Sequence, residues 1–192
     1  MRPMAEPSDN PNAKVFFALW PSAAERDRLA AWQKPLQRLC GGRAMRSEML
    51  HNTLVFIGNV EQARLEALQL VAQEVSGPEV RGQAFELCFD AAHYWKHNHI
   101  VYAAPGEIPQ QLAQLVDSLA QRLSVHGFSF DRRQYQPHVT LLRNARWTGE
   151  ALPRQLPQMQ PVCWQAGDFA LVQSAQQQGE PHYRVLARFP LE

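Results

Sequence analysis

The sequence predicts a fold of the α/β or α+β class, with helices and a largely antiparallel sheet. Short apolar runs bounded by Gly or Pro indicate strands, three longer segments repeat apolar residues at helical spacing, and the two kinds of segment alternate. The 192 residues suffice for a sizeable core, and no linker divides them. We therefore expect one domain over residues 14–192, preceded by a polar, proline-rich, flexible tail over 1–13.

The first strand and the first helix are the most clearly marked elements. An apolar run over 14–20 is typical of a central strand. Ser22 then opens a helix, because its side chain and that of Glu25, three residues later, can form a capping box. Pro35 lies within the apolar stripe of this helix. It is expected to kink or end the helix, since proline removes a backbone donor.

Two more helices and six more strands complete the predicted elements. One helix is expected from about Leu65 to a stop at Gly77-Pro78, and another over 109–125. Apolar runs predict strands at 51–58, 83–90, 100–103, 138–142, 168–174 and 182–189. The stretch 146–161 contains three prolines and is expected to be a long loop.

Composition and charge exclude several classes of protein. A net charge of +1 argues against wrapping long duplex nucleic acid, but it is compatible with a pocket for one or two nucleotides. No run of 18 apolar residues occurs, so no membrane span is expected. The first thirteen residues lack the apolar segment of a signal peptide.

Three cysteines, Cys40, Cys88 and Cys163, are far apart in the sequence and odd in number. They match no metal-binding spacing such as Cys-x-x-Cys, and a disulfide framework is not expected. We expect buried, reduced thiols, which favour a cytoplasmic location.

One short pattern, His-x-Thr-Leu, occurs twice. The two copies are His51-Asn52-Thr53-Leu54 and His138-Val139-Thr140-Leu141. With seven histidines and three threonines in 192 residues, chance predicts about 0.1 His-x-Thr triplets. A single copy in a strand is most often a structural histidine. Two matched copies, each within an apolar strand, indicate a functional site.

The spacing within each copy has a structural meaning. Side chains i and i+2 of a strand point to the same face, so the His and the Thr of each copy project together. Leu54 and Phe56 are expected to point the other way, into a helix-covered core, and Val139 and Leu141 likewise. Two such strands side by side would present two imidazoles and two hydroxyls to one groove.

These groups suit the hydrolysis of a cyclic phosphodiester. A base must take a proton from water, and an acid must protonate the departing ribose oxygen. Histidine titrates near neutral pH, so one ring can be neutral while the other is charged. The threonine hydroxyls can donate to phosphate oxygens. An acid and a base supplied by the protein remove the strict need for a metal.

At these motifs the sequence resembles the 2H phosphoesterase superfamily, and more closely the bacterial RNA 2′,3′-cyclic phosphodiesterases, historically called 2′-5′ RNA ligases. The similarity covers nearly the whole chain from Lys14. The segments that carry it are the opening strand VFFALWP, the first motif HNTLVFIG with its lead-in RSEML, the second motif YQPHVTLLR, and the last strand pair around Ser174 and Tyr183.

The resemblance implies an α+β fold of two pseudo-symmetric lobes, whose mostly antiparallel sheets line a central cleft with helices outside. It implies hydrolysis of an RNA 2′,3′-cyclic phosphate to a 2′-phosphate. His51 would be the proton donor to the leaving 3′ oxygen and His138 the proton acceptor that activates water, with Thr53 and Thr140 holding the phosphate. No cofactor, metal or obligate protein partner is implied. We expect a monomer that acts on RNA 3′ ends or small cyclic nucleotides.

Two residues near the motifs fit this expectation less simply. Asn52 stands where the family usually has an apolar residue, and a polar group on the core side must find a partner. Arg143 resembles a family arginine and would suit phosphate. It lies three residues after Thr140, on the opposite face of a regular strand, so it reaches the groove only if the strand ends or bulges there. A surface salt bridge is the equal alternative.

Two basic segments give weaker signals. The histidine-rich stretch from His93 to His99 is expected to be an exposed hairpin tip rather than a metal site. One of its residues, Tyr94, Trp95 or Lys96, is expected to border the cleft and to stack on or steer an RNA end. Arg132 and Arg133 could approach RNA phosphates, although a solvated face is the simpler interpretation.

Three other functions remain open from the sequence. The same two histidines would serve RNA ligation that forms a 2′-5′ bond, and a different small cyclic phosphate could be the substrate, since fold does not fix substrate. A non-catalytic protein that binds RNA ends would need the pocket but not two titrating histidines.

Overall fold

The strand pairs among the described residues are all antiparallel, and they join into one curled sheet. The computed structural model describes residues 11–76, 83–149, 152, 159–177 and 180–192. The strands are β1 Asn12–Leu19, β2 Arg43–Ala44, β3 Asn52–Glu61, β4 Phe85–Trp95, β5 Ile100–Pro105, β6 Val139–Arg143, β7 Val162–Ala166, β8 Asp168–Gln177 and β9 Glu180–Pro190. Their order across the sheet is β7-β4-β5-β6-β3-β1-β8-β9, and β2 pairs with β6. The predicted α+β class with a mostly antiparallel sheet is confirmed.

The strand order divides the sheet into two halves of similar layout. Strands β7-β4-β5-β6 form one half and β9-β8-β1-β3 form the other, so β6 and β3 meet in the middle. At this seam, the described residues form one register pair, Asn52 opposite Val139. The prediction of two pseudo-symmetric lobes is confirmed, and the sheets of the two lobes are continuous through this pair.

Four α-helices accompany the strands of the described residues: α1 Ala23–Ala30, α2 Gln33–Cys40, α3 Leu65–Ser76 and α4 Gln110–Val125. The predicted capping box is present, with the Glu25 N–H donating to Ser22 Oγ and the Ser22 N–H donating to the Glu25 carboxylate. The predicted break separates α1 from α2. It falls one turn before Pro35, because a proline cannot donate to the carbonyl four residues earlier.

The helices cover one face of the sheet, and the core lies between them. Leu29, Leu68 and Leu119 from three of the helices are fully buried in one cluster with alternate residues of β1, such as Phe17. The other face of β1 supports a separate small cluster that includes Phe16. Strand β1 therefore has a core face and a cleft face, although its residues 15–19 are apolar on both faces.

Two predicted boundaries, the start of the first strand and the end of the second helix, lie next to residues that the structure does not describe. Strand β1 begins at Asn12, two residues before the predicted start, and residues 1–10 of the predicted tail lie outside the described residues. The predicted helix stop at Gly77-Pro78 also lies outside them. None of the described helices has both the length and the apolar character needed to cross a membrane.

The prediction of three reduced thiols is wrong for two of them. Strand β7, which the sequence did not indicate, pairs with β4 in a register that sets Cys88 directly opposite Cys163, and the two form a disulfide. Cys40 is buried and unbonded, as predicted. The two cysteines lie 75 residues apart in sequence, so only the strand pairing could reveal that they are neighbours. The argument that reduced thiols favour a cytoplasmic location therefore no longer applies to Cys88 and Cys163.

Candidate active site

Each His-x-Thr-Leu copy begins one residue before a strand. His51 precedes β3 and His138 precedes β6, and the pairing at the seam sets the two copies side by side. A cleft of about 260 Å³ opens there. All five residues expected from the sequence line it: His51, Thr53, His138, Thr140 and Arg143.

Main-chain carbonyls hold both imidazoles in the same tautomer. His51 Nδ1 lies 2.7 Å from the Met49 oxygen, and His138 Nδ1 lies 2.8 Å from the Gln136 oxygen. A carbonyl oxygen only accepts, so each Nδ1 carries a hydrogen and donates it. The Nε2 atom of each neutral ring is therefore a proton acceptor. His51 Nε2 lies 3.1 Å from Thr53 Oγ1, whose hydroxyl can donate to it.

Both strands depart from regular alternation just after the threonine. The pairing of β3 with β1 skips Leu54, and the pairing of β6 with β5 skips Leu141. Each skipped leucine is an extra residue, a β-bulge, which turns the following side chains to the opposite face. Two consecutive residues are consequently buried in each strand, Leu54 with Val55 and Leu141 with Leu142.

The two bulges bring Phe56 and Arg143 into the cleft. Phe56 was predicted to face the core, which is wrong: it is 39% exposed and lines the cleft. Arg143 was predicted to reach the groove only if its strand ends or bulges, and the bulge at Leu141 meets that condition. In the described part of the chain no carboxylate pairs with Arg143, so the alternative of a surface salt bridge is not found.

A buried amide supports the bulge of the second motif. Gln33, on α2, donates from Nε2 to the carbonyl oxygens of Met45 at 2.8 Å and Leu141 at 3.2 Å. The Met45 N–H also donates to the Leu141 oxygen, at 2.9 Å. The irregular strand therefore has its main-chain acceptor satisfied. The sequence did not indicate Gln33, because a glutamine in a short helix is usually exposed.

Asn52 is fully buried and finds its partners in the other lobe. Its Nδ2 donates to the Tyr135 hydroxyl oxygen at 3.1 Å, and its Oδ1 accepts from the His138 backbone N–H at 3.2 Å. The polar residue at this core position is thus hydrogen-bonded, as buried polar groups generally are. A side chain of the first motif holds the main chain of the histidine in the second.

Aromatic rings surround His51. Its imidazole stacks on Phe16 and on Trp20, with ring centroids 4.9 and 5.1 Å away, and Tyr183 meets it edge-on at 5.1 Å. Phe16 lies within β1, Trp20 directly follows that strand, and Tyr183 comes from β9. This arrangement shields the ring of His51 from water on several sides.

His138 has a more open aromatic environment. The edge of its ring approaches Trp95, with centroids 4.6 Å apart, and Tyr102 at 5.8 Å. No ring of the described residues stacks flat on it. Of the residues 94–96, one of which was predicted to border the cleft, Trp95 is the one that contacts His138. The Tyr94 hydroxyl donates to the Ala145 carbonyl oxygen instead.

Burial makes both imidazoles poor proton acceptors. It lowers the pKa of His51 to about 4, against the hydrogen bond to Met49, and the charges of His138 and Arg143 lower that pKa further. Burial also lowers the pKa of His138, against the hydrogen bond to Gln136, and the charge of Arg143 lowers it further. In the free protein both rings are therefore neutral at pH 7.

Lys14, Ser174 and Tyr183 also line the cleft. The last two lie on the strand pair quoted for the family resemblance, but Lys14 was not singled out as a site residue. Lys14 and Phe16 are two apart and share one face of β1. That spacing was the available signal, and the apolar run over residues 15–19 concealed it.

The histidine-rich hairpin tip lies apart from the cleft. His97 and His99 are exposed, and His99 Nδ1 lies 3.0 Å from the Tyr94 hydroxyl. The described ranges contain no group of three or more His, Cys, Asp or Glu side chains placed to hold a metal ion.

Comparison with known proteins finds similar proteins over nearly the whole chain. The 2′-5′ RNA ligase superfamily matches residues 20–178 of the chain. An RNA 2′,3′-cyclic phosphodiesterase of Escherichia coli (strain K12) is 29% identical over 188 residues, which cover 98% of this chain and 99% of the relative. A protein of the same name from Bacillus subtilis (strain 168) is 26% identical over 147 residues, covering 73% and 76%. The apo crystal structure of E. coli LigT superposes with a TM-score of 0.79 and 27% identity, covering 95% of this chain and 99% of that one.

Proposed function

Because the chain belongs to the 2′-5′ RNA ligase superfamily, we propose that it hydrolyses 2′,3′-cyclic phosphates at RNA ends to 2′-phosphates, with His51 and His138 as the acid and base. The observation that supports this most directly is the pair of matched imidazoles. Each donates its Nδ1 hydrogen to a carbonyl and leaves Nε2 available at one shared cleft. The names of the two bacterial relatives support the substrate.

The proposed reaction is an acid–base displacement at phosphorus. His138 Nε2 takes a proton from a water molecule as its oxygen attacks the phosphorus. The bond from phosphorus to the ribose 3′ oxygen breaks, and His51 Nε2 gives its proton to that oxygen. The product carries a 2′-phosphate and a 3′-hydroxyl. The proton that His138 gained returns to His51 through solvent, so no cofactor is consumed.

Three side chains are proposed to hold the phosphate. The hydroxyls of Thr53 and Thr140 face the cleft and can donate to non-bridging oxygens, where negative charge develops. The guanidinium of Arg143 supplies a full positive charge and a planar set of donors. Since Thr53 also lies within hydrogen-bond distance of His51 Nε2, the phosphate it binds would be next to the proposed acid.

The protonation states of the two histidines fit these roles once substrate binds. The reactive form has one proton on the pair, with His51 charged and His138 neutral. Burial disfavours that charge in the free protein, and the anionic phosphate beside the ring favours it. A donor whose intrinsic pKa is low also transfers its proton readily to a poor leaving group.

The experiment is turnover of a short RNA that ends in a 2′,3′-cyclic phosphate, assayed in EDTA. We expect wild-type protein to release a 2′-phosphate, and His51→Ala and His138→Ala each to lose at least about 10²-fold in kcat. His182→Ala is the matched control, because His182 is exposed and lies outside the cleft.

Other outcomes of this assay distinguish the rival functions. A folded wild-type protein that protects the cyclic end without consuming it would be a binding protein. Joining of the cyclic end to an RNA with a free 5′-hydroxyl, in place of hydrolysis, would identify a ligase. Turnover that stops in EDTA and returns with added metal would contradict the two-histidine mechanism.

The location and assembly proposed with this function are a monomer in the cytoplasm, where RNA substrates are found. Cell fractionation and light scattering of the full chain test both. Recovery in the extracellular fraction, or a concentration-independent dimer, would overturn them.

A further inference from the structure

A second, larger cavity continues from the cleft. This groove has a volume of about 1010 Å³ and shares with the cleft the residues Thr53, Phe56, His138, Thr140 and Arg143. Its outer walls are the tip of the β4–β5 hairpin, one side of α4 and the segment 130–136. The proposed hydrolysis uses only the cleft. The groove is at the upper end of the size range of small-molecule sites, about 300–1,000 Å³.

Two surfaces in the groove suit the stacking of bases. Trp95 lies where the groove meets the cleft, and its ring packs on Tyr102 at 4.1 Å. Phe130 lines the groove but not the cleft, and the Arg132 guanidinium lies over its ring at 4.8 Å. Aromatic rings and arginine planes both accept stacked bases with little preference for sequence.

The charges of the groove favour a phosphate backbone only moderately. The Arg133 guanidinium donates three hydrogen bonds to the Asp131 carboxylate, so these two charges largely cancel. In the described part of the chain no carboxylate pairs with Arg132, which is exposed. One further carboxylate, Asp117 of α4, lines the groove. A short stretch of RNA matches this surface better than a long duplex does.

We propose that this groove binds the nucleotides on the 5′ side of the cyclic phosphate, so that the protein prefers the ends of RNA chains to free cyclic nucleotides. In a 2′,3′-cyclic phosphate the ring occupies both hydroxyls of the last ribose, so the rest of the RNA leaves only through the 5′ oxygen. With the phosphorus between His51 and His138, a chain that leaves past His138 enters the groove. This proposal rests on the proposed function.

The test compares substrates of increasing length. The kcat/KM of wild-type protein is measured for a 2′,3′-cyclic mononucleotide and for di-, tri- and hexanucleotides with the same cyclic end. We expect kcat/KM to rise with length and then to level off. Arg132→Ala is expected to lower kcat/KM for the hexanucleotide by about two- to fivefold, as for the loss of one exposed ion pair. The ratio of kcat/KM for the hexanucleotide to kcat/KM for the mononucleotide should fall by the same factor.

Salt dependence and a matched arginine separate this contact from general electrostatics. Each phosphate contact contributes about 0.7 to the slope of log affinity against log salt for a single strand. Arg132→Ala is expected to lower the slope for the hexanucleotide by about that amount. Arg38→Ala removes the same charge from an exposed site outside both cavities, and it is expected to change neither the slope nor the length ratio.

Each outcome decides between the two proposals. Rapid hydrolysis of the mononucleotide with no gain from length would overturn the groove proposal and leave the hydrolase intact. If no substrate turns over, the hydrolase proposal fails, and the groove is tested by fluorescence anisotropy with a labelled hexanucleotide that ends in a 2′-phosphate. Equal binding of hexanucleotide and dinucleotide, or an unchanged affinity in Arg132→Ala, would then reject it.

Discussion

The two His-x-Thr-Leu strands follow the same path, yet they differ at two equivalent positions. Each has a histidine before the strand, a threonine two residues later and a bulge at the next leucine. The residue after the histidine is Asn52 in one copy and Val139 in the other. The residue two beyond the leucine is Phe56 in one and Arg143 in the other. A repeated scaffold has thereby acquired different chemistry on its two sides.

The first difference lies at the seam itself, because Asn52 and Val139 are opposite one another in register. Two valines there would pack and do nothing further. An asparagine in one copy can accept from the His138 backbone N–H, so one lobe fixes the position of the other lobe's histidine. Asymmetry at this pair therefore couples the two halves of the site.

The second difference places a ring on one side of the cleft and a positive charge on the other. The Phe56 ring and the Arg143 guanidinium both line the cleft, at equivalent positions of the two strands. The charge of Arg143 lowers the pKa of both histidines. An anionic substrate neutralises that charge, so binding and protonation of the pair are linked.

The largest predicted effect comes from removing the charged member of the second difference. Arg143→Met is expected to lower kcat/KM about 10²–10³-fold, because a charged donor aimed at the developing phosphate charge is lost. Phe56→Met places the same residue, methionine, at the equivalent position of the other strand. It is expected to lower kcat/KM by less than about tenfold. Steady-state kinetics on one cyclic-phosphate RNA measure both. Equal losses in the two variants would mean that the positions do not differ in function.

Making the seam symmetric is expected to have the next largest effect. Asn52→Val leaves the Tyr135 hydroxyl and the His138 N–H buried without their partner. At about 1–3 kcal/mol for each unsatisfied group, the free energy of unfolding in urea should fall by about 2–6 kcal/mol. Tyr135→Phe leaves one group, the buried Asn52 Nδ2, without its acceptor, and a decrease of about 1–3 kcal/mol is expected.

The double variant Asn52→Val with Tyr135→Phe completes the cycle. Because the hydroxyl is then absent, its loss of stability should be smaller than the sum of the two single variants. Strict additivity would show that the Asn52–Tyr135 bond contributes no coupling. If fully folded Asn52→Val protein has the same kcat as the wild type, Asn52 does not position His138.

Most of the fold and the core of the site could be predicted from the sequence, for reasons visible in individual residues. Apolar periodicity located the strands that carry both motifs, and the repeated pattern identified His51 and His138 without knowledge of which strands pair. The capping box at Ser22 was readable because it depends on residues three apart. Local signals of this kind survive folding unchanged.

What could not be predicted depends on contacts between distant segments. The bulge at Leu54 is invisible in a run of apolar residues, so Phe56 was assigned to the wrong face. The disulfide needed the register of β4 against β7, and β7 itself is only five residues long. Gln33 acts through the Leu141 carbonyl, 108 residues away. No periodicity in the sequence records such pairs.

The aromatic surroundings of the two histidines predict a difference in titration. Proton NMR of the imidazole resonances is expected to give a pKa of about 4 for His51 and a value below 6.5 for His138. Trp20→Ala opens the stacked side of His51, so the pKa of His51 should rise toward the ordinary value. Trp95→Ala should raise the pKa of His138 instead.

The same pKa values set the expected pH dependence of kcat/KM. The reactive free protein carries one proton on the pair, so activity falls below pH about 4, where both rings are charged. Activity also falls at the alkaline side, where both rings are neutral, with a midpoint below 6.5 because the pKa of His138 is lowered. Loss of Arg143 raises both pKa values and should move the alkaline limb upward. An optimum above pH 8 would contradict this picture.

The smallest predicted effect comes from removing Trp95. No ring of the described residues stacks flat on His138, so no other ring there could take the place of Trp95. If the last base of the RNA rests on Trp95, Trp95→Ala should raise KM by about five- to tenfold through the loss of roughly 1 kcal/mol of stacking, and kcat should change less. Trp20→Ala is the counterpart on the other side. Because Trp20 contacts the ring of His51 and does not line the cleft, its effect should appear in the pH profile and not in KM. A KM that is unchanged in Trp95→Ala would remove the base from this face, and the open environment of His138 would then serve only to admit water.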